Sequence, residues 1–110
     1  MIEVEVYRDS EGKICEFRRR KEEGLSEEHP LQVSVSSLVQ TAIIGLESYL
    51  KLEPQVKEEG GYLQCKLERE YFLNREIDAI LETMILGLRA LERDHPEFLE
   101  VREVGSDVKV

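Results

Sequence analysis

The sequence predicts an α+β domain of two layers, an antiparallel or mixed sheet with two helices on one face, in the order ββαββαβ. Three observations predict it. Segments such as "IEVEV" and "YLQCKLE" alternate apolar and polar residues at the period of a strand. Two longer segments repeat apolar residues at the 3.6-residue period of a helix. The strands are apolar on one side only, which suits a sheet covered on a single face.

Each element follows in order. Ile2, Val4 and Val6 alternate with Glu3, Glu5 and Tyr7 in the first strand. "DSEG" supplies turn residues, and "KICEFR" returns as a second strand with Cys15 and Phe17 sharing a face. The charged segment from Arg19 to Leu31 holds Gly24 and a His-Pro pair, and reads as a mobile loop. A helix is expected from about Gln32 to Lys51, with Val35, Leu38, Val39, Ala42, Ile43, Leu46 and Leu50 as its core stripe. Pro54 stops it. "QVKEE", Gly60-Gly61 and "YLQCKLE" make a hairpin with Leu63, Cys65 and Leu67 inward.

Asn74 is the expected cap of a second helix reaching His95, with Ile77, Ile80, Leu81, Met84, Leu88 and Leu91 as its stripe. Glu76, Asp78, Glu82, Arg89 and Glu92 are assigned to its outer face. Pro96 ends it, and "FLEVREV" is the last strand, with Leu99 and Val101 inward. Residues 1–104 are thus expected to form a single domain, and 105–110, "GSDVKV", a flexible tail.

Composition narrows the function classes. A chain of 110 residues can bury roughly two-thirds of its unfolded surface, so it needs neither disulfide nor metal to hold it. Cys15 and Cys65, both in strand-like segments, read as reduced core residues. Met1 leads straight into a strand, so no signal peptide is expected, and no segment is apolar enough to span a membrane. The reading is a cytoplasmic domain. A net charge of −9 argues against direct nucleic-acid binding. No glycine-rich phosphate loop occurs, and His29 and His95 lack ligand-spaced neighbours, so neither metal nor cofactor is expected. "RRRK", Arg18 to Lys21, reads as a solvated strand end, or as a patch for phosphate or an acidic partner.

The first helix stands apart. From Pro30 to Leu46 it has no charged side chain, in a chain that is 35% charged. Its row opposite the core stripe is Ser34, Ser37, Thr41, Ile44 and Ser48. Small, uncharged residues permit close approach without a desolvation cost, so this row is the expected interface of a symmetric homodimer.

"LQVSVSSLVQTAIIGLESYL", "KEEGGYLQCKLE" and "LRALERDHPEFLEV" together resemble the Prp (YsxB-like) ribosomal-processing cysteine proteases, from Met1 to about Val104. The resemblance implies a homodimeric α+β fold and the trimming of an N-terminal extension from a large-subunit ribosomal protein in Firmicutes and related bacteria. It also implies a catalytic Cys at the start of the first helix and a Gly-His pair in the loop before it. A helix N-terminus favours a thiolate, and a nearby imidazole takes up its proton. Here Gln32 stands at the nucleophile position, and Arg20 or Glu22 at the His position. No catalytic pair is therefore expected.

The expected role is binding, to a ribosomal protein tail or to an active paralogue. Arg18, Arg19, Arg20, Lys21, His29, Gln32 and Ser34 are its candidate residues. The competing expectation is an active cysteine or serine peptidase with a relocated site, using His29 with Ser34 or a cysteine.

Overall fold

The computed structural model describes residues 1–21, 24–26, 28–69 and 73–105. The alternating segments form β1 (Ile2–Arg8), β2 (Ile14–Arg20), β3 (Gln55–Glu59), β4 (Tyr62–Lys66) and β5 (Leu99–Val104). The helical-period segments form α1 (Pro30–Ile44) and α2 (Asn74–Asp94). The class and the order ββαββαβ are those the sequence predicts.

The strands make one sheet in the order β3-β4-β2-β1-β5. Neighbours are antiparallel except β1 and β5, which are parallel. Following these pairings, β2 and β3 run parallel, and so do β4 and β5. Each helix is thus a crossover between parallel strands. The two crossovers travel in opposite directions along the sheet, but from strands of opposite direction. Right-handed connections therefore place both helices on the same face.

That face holds the core. Ile2, Val4, Val6, Phe17, Leu63 and Leu99 point from the sheet into one cluster with Val35, Val39 and Leu46 from the first helical segment and Ile77, Leu81 and Leu88 from α2. The helices approach closely where Gly87 of α2 faces Leu38 of α1. A Cβ at Gly87 would lie 3.2 Å from a Leu38 methyl. The opposite face of the sheet is polar, tied by bonds such as Arg102 to Glu5 at 2.6 Å and Gln64 to Glu16 at 2.7 Å. Gly60 and Gly61, at φ of 57° and 86°, supply the two left-handed residues that the β3–β4 turn requires.

The structure departs from expectation in six places. The first helix starts at Pro30, ahead of Gln32, because Pro at the first helical position loses no bond there. After Ile44 it widens into a π-helical turn over Gly45–Tyr49, where the Leu50 amide reaches Gly45 O at 3.1 Å. The expected loop is shorter than Arg19 to Leu31, since β2 runs to Arg20 and Leu31 is buried in α1. An irregularity between Tyr7 and Arg8 in the β1–β2 register turns Ile14 into the core, and Cys15 is left half-buried instead of sharing the inner face with Phe17.

Asn74 does not cap α2; it is the helix's first residue, and its side-chain oxygen accepts from Arg69. Asp78, Glu82, Arg89 and Glu92 do not simply face solvent. Lys13 pairs with Asp78 at 2.7 Å, Arg8 with Glu82 at 2.6 Å and Arg89 with Glu103 at 3.3 Å, while Glu92 accepts the Val101 amide at 2.8 Å. These residues clip the flank of α2 to the sheet. Of the expected tail, Gly105 is exposed, and 106–110 lie outside the described residues.

Candidate functional site

The start of α1 is held by two side-chain clasps. His29 is the helix cap, in extended conformation at φ −61° and ψ 133°, and its Nδ1 accepts the Leu31 amide at 3.1 Å. Its ring lies against Phe98, centroids 6.4 Å apart. Gln32 is 4% exposed, and its Nε2 donates to Leu25 O at 3.2 Å and Ser26 O at 3.5 Å. A glutamine amide can satisfy two carbonyls of a folded-back loop in this way, which a thiol cannot. Gln32 thus stitches the preceding loop to the helix.

Strand alternation divides "RRRK". Arg19 points toward the helices, is 2% exposed, and donates to Ser36 Oγ at 3.0 Å, with Glu58 at 3.9 Å. Arg18 and Arg20 lie on the opposite, open face, stacked over Tyr7 at 4.7 Å and Tyr62 at 4.8 Å. Lys21 leaves the sheet, its amide donating to Gly61 O at 2.9 Å. Of the candidate binding residues, His29 and Gln32 meet at the first turn of α1, and Arg19 adjoins that helix through Ser36. Ser34 instead lines the groove between the helices. Of the two residues expected at the family's His position, Arg20 faces away from α1, and Glu22 lies outside the described residues.

The chemistry available at these atoms is limited. In the neutral imidazole whose Nδ1 accepts a backbone N–H, the proton sits on Nε2, and no lone pair is left to take one from a hydroxyl. Neither thiol is a ready nucleophile. Burial, reinforced by Glu47 and Glu16, pushes the Cys65 thiol up to about 12. Burial, with Asp9 and Glu16, also raises Cys15, whose Sγ donates to Tyr7 O at 3.5 Å. A thiol-specific reagent is therefore expected to leave Cys65 unlabelled in the native protein and to modify Cys15 slowly, with both reacting at once in denaturant. Mass spectrometry of timed samples checks this; rapid native labelling that vanishes in His29→Ala would instead reveal an activated cysteine. Among the described residues, no group of three or more His, Cys, Asp or Glu could hold a metal ion, and no helix is long and apolar enough to cross a membrane.

Beside this turn runs a groove of about 910 Å³ between α1 and α2. Among the described residues, no charged side chain lines it; Val33, Ser37, Thr41 and Tyr49 form one wall, and Ala79 and Thr83 part of the other. Two of its lining residues are large and left in the open, Val33 at 49% exposed and Tyr49 at 80%; Ile44 and Leu86, outside the lining, are exposed on the same two helices. The first-helix half of this face was visible in the sequence as the row Ser34, Ser37, Thr41, Ile44 and Ser48. The second half was missed, although Ala79, Thr83 and Gly87 repeat every four residues in the same manner.

No curated protein matches the chain in sequence. Its fold matches that of the essential ribosomal processing protease Prp of S. aureus, solved in complex with a substrate peptide, with a TM-score of 0.83 at 18% identity, covering 94% of this chain and 100% of that one. A second structure of the same protease, with a covalently linked product peptide, gives 0.84 at 18% identity over the same shares, 94% and 100%. SMU.848 from Streptococcus mutans gives 0.80 at 20% identity, covering 96% of each chain. At these identities the likeness is one of fold. The family model described as cysteine protease Prp matches residues 1–100, and the chain belongs to that family.

Proposed function

We propose that this chain is a catalytically degenerate homodimer of the Prp family that binds a peptide at the start of α1 and does not cleave it. The observation that carries the reading is Gln32. Its amide, at the position the resemblance assigns to the family's nucleophile, is buried and committed to Leu25 O and Ser26 O. An amide cannot form the acyl-enzyme that this chemistry requires. A relocated peptidase would need a base for Ser34 or a thiolate. His29 spends its acceptor nitrogen on the helix cap, and both thiols are pushed toward the neutral form.

Binding needs less than catalysis. With its Nδ1 spent on the cap, His29 keeps an Nε2–H donor at the first turn of α1 for a peptide carbonyl or carboxylate, and the S. aureus relative holds its peptide on the same fold. The peptide proposed is the N-terminal extension of a large-subunit ribosomal protein. Homodimerisation is proposed through Ser34, Ser37, Thr41, Ile44 and Ser48 of the charge-free face.

Calorimetric titration of such an extension peptide, with mass spectrometry of the mixture, tests the reading. Saturable binding with the peptide intact is expected. Cleavage that disappears in His29→Ala would replace the reading with that of an active peptidase, and no binding would remove the peptide from it.

A further inference from the structure

We propose that β3 is a docking edge onto which an extended segment of another protein adds as a further strand, with an acidic residue against Lys57 and an apolar one against Val56. None of the β3 residues belongs to the candidate site at α1, and the proposal does not rest on that reading.

The sheet has two outer edges, β3 and β5, and the chain closes the second. The outward amide of Val101 donates to Glu92 at 2.8 Å, and its carbonyl accepts from Arg89 at 2.8 Å. The Leu99 amide donates to His95 O at 3.1 Å. An edge covered in this way has little left to offer a further strand. β3 stands differently, with all five residues exposed. At either end of β4, Lys21 N donates to Gly61 O and Leu67 N to Cys15 O, each at 2.9 Å. Odd-numbered residues there bond toward β2, so Tyr62, Gln64 and Lys66 bond toward β3, where their partners are Glu59, Lys57 and Gln55. Val56 and Glu58 therefore aim their N–H and C=O groups outward. Among the described residues, these outward groups have no partner.

Side chains choose the occupant. Gln55, Val56, Lys57, Gln64 and Lys66 line a cleft of about 360 Å³ at this edge, with two lysines and, among the described residues, no carboxylate. Neither lysine forms an ion pair with a described residue, in a chain of net charge −9. Beyond Gln55 lies a second cleft with Glu16, Glu53 and Glu68, and toward the turn stands Glu59. The positive charge is thus centred on Lys57, beside the 40% exposed Val56.

A second copy does not fit this edge. Two-fold pairing of β3 with itself is antiparallel. Val56 opposite Glu58 would set Lys57 against Lys57, and Glu58 opposite Glu58 would join like carboxylates. Val56 opposite Val56 would set Glu58 against Pro54, which has no N–H to give. A strand of different sequence fits, apolar at Val56, acidic at Lys57 and basic at Glu59. Its main chain supplies affinity and its side chains supply choice.

The probe is a capped peptide with the core Lys-Thr-Glu-Val-Thr, which in antiparallel pairing sets Lys against Glu59, Glu against Lys57 and Val against Val56. Its control has Lys and Glu exchanged. Titration into the labelled protein by NMR is expected to give saturable shifts centred on the Val56 and Glu58 amides, with slowed hydrogen exchange at both. The probe should bind about fivefold more tightly than the control. In the double variant Lys57→Glu, Glu59→Lys, which alters two exposed residues, that preference should reverse. No saturable shift at millimolar peptide, equal affinity for probe and control, or shifts centred on Leu31 and Val33 of α1 would each overturn the proposal. So would a preference that the double variant leaves unchanged. Protection of the Val56 and Glu58 amides that rises with concentration of the protein alone would put a second copy on this edge and overturn it too.

Discussion

Arg69→Ala is expected to lower the stability of the protein by about 3 kcal/mol, the scale seen when one partner is removed from a largely buried ion pair. The Arg69 side chain is 10% exposed and joins three parts of the fold. It donates to Ile14 O at 2.8 Å, to the Asn74 side chain at 3.1 Å and to Asp78 at 2.7 Å. Alanine would strand the Ile14 carbonyl at the start of β2 and leave Asp78 with Lys13 alone. The loss carries a pH signature. Burial by itself would raise the Asp78 carboxyl, but hydrogen bonds and charge from Lys13 and Arg69 outweigh it and hold the carboxyl below its usual range. The Arg8 hydrogen bond, opposed by burial and helped by Arg89, does the same for Glu103. A carboxyl lowered in the folded state stabilises fully above its unfolded value, about 4, and that stabilisation is lost as pH falls through the folded value. Urea unfolding should therefore separate wild type and variant most at about pH 7, and the gap should narrow at about pH 3.

Gln32→Ala is expected to cost about 1–3 kcal/mol, because it leaves two loop carbonyls without their donor. Gln32→Glu should cost more than alanine despite its matching shape, since a carboxylate would face Leu25 O and Ser26 O with no proton to offer. Thermal unfolding of the two variants ranks them, and the reverse order would show that packing, not the amide donor, holds the loop. Gln32→Cys should bind the extension peptide and leave it intact, because a nucleophile without a base restores only half of the chemistry.

The sequence made the strands and helices legible because side-chain period is a local property. The stripe from Val35 to Leu46 and the alternation from Ile2 to Val6 both appear in the structure on the expected faces. Sheet order was not legible. The pairing of β1 with β5 joins Ile2 to Leu99, and no local pattern distinguishes that partner from another. Cys15 was misplaced because the irregularity at Tyr7 and Arg8 shifts the alternation by one residue, a feature of the strand pair and not of either strand. The carboxylates of α2 were assigned to solvent because helical phase says nothing of what stands beside the helix. At the candidate site, the resemblance drew notice to Gln32. Its bonds to Leu25 and Ser26 could not, since they depend on how the loop folds back.

The parallel β1–β5 pair also bears on synthesis. Register from Ile2↔Leu99 to Tyr7↔Val104 means that, as the chain emerges from a ribosome, β1 finds its second neighbour only after β2, β3, β4 and both helices have been made. Until then β1 has one unpaired edge beside an apolar face, the condition in which a nascent chain pairs with the wrong strand. Closing so long a loop is slow compared with hairpin formation. Emergence of β5 therefore sets the moment at which this sheet can seal.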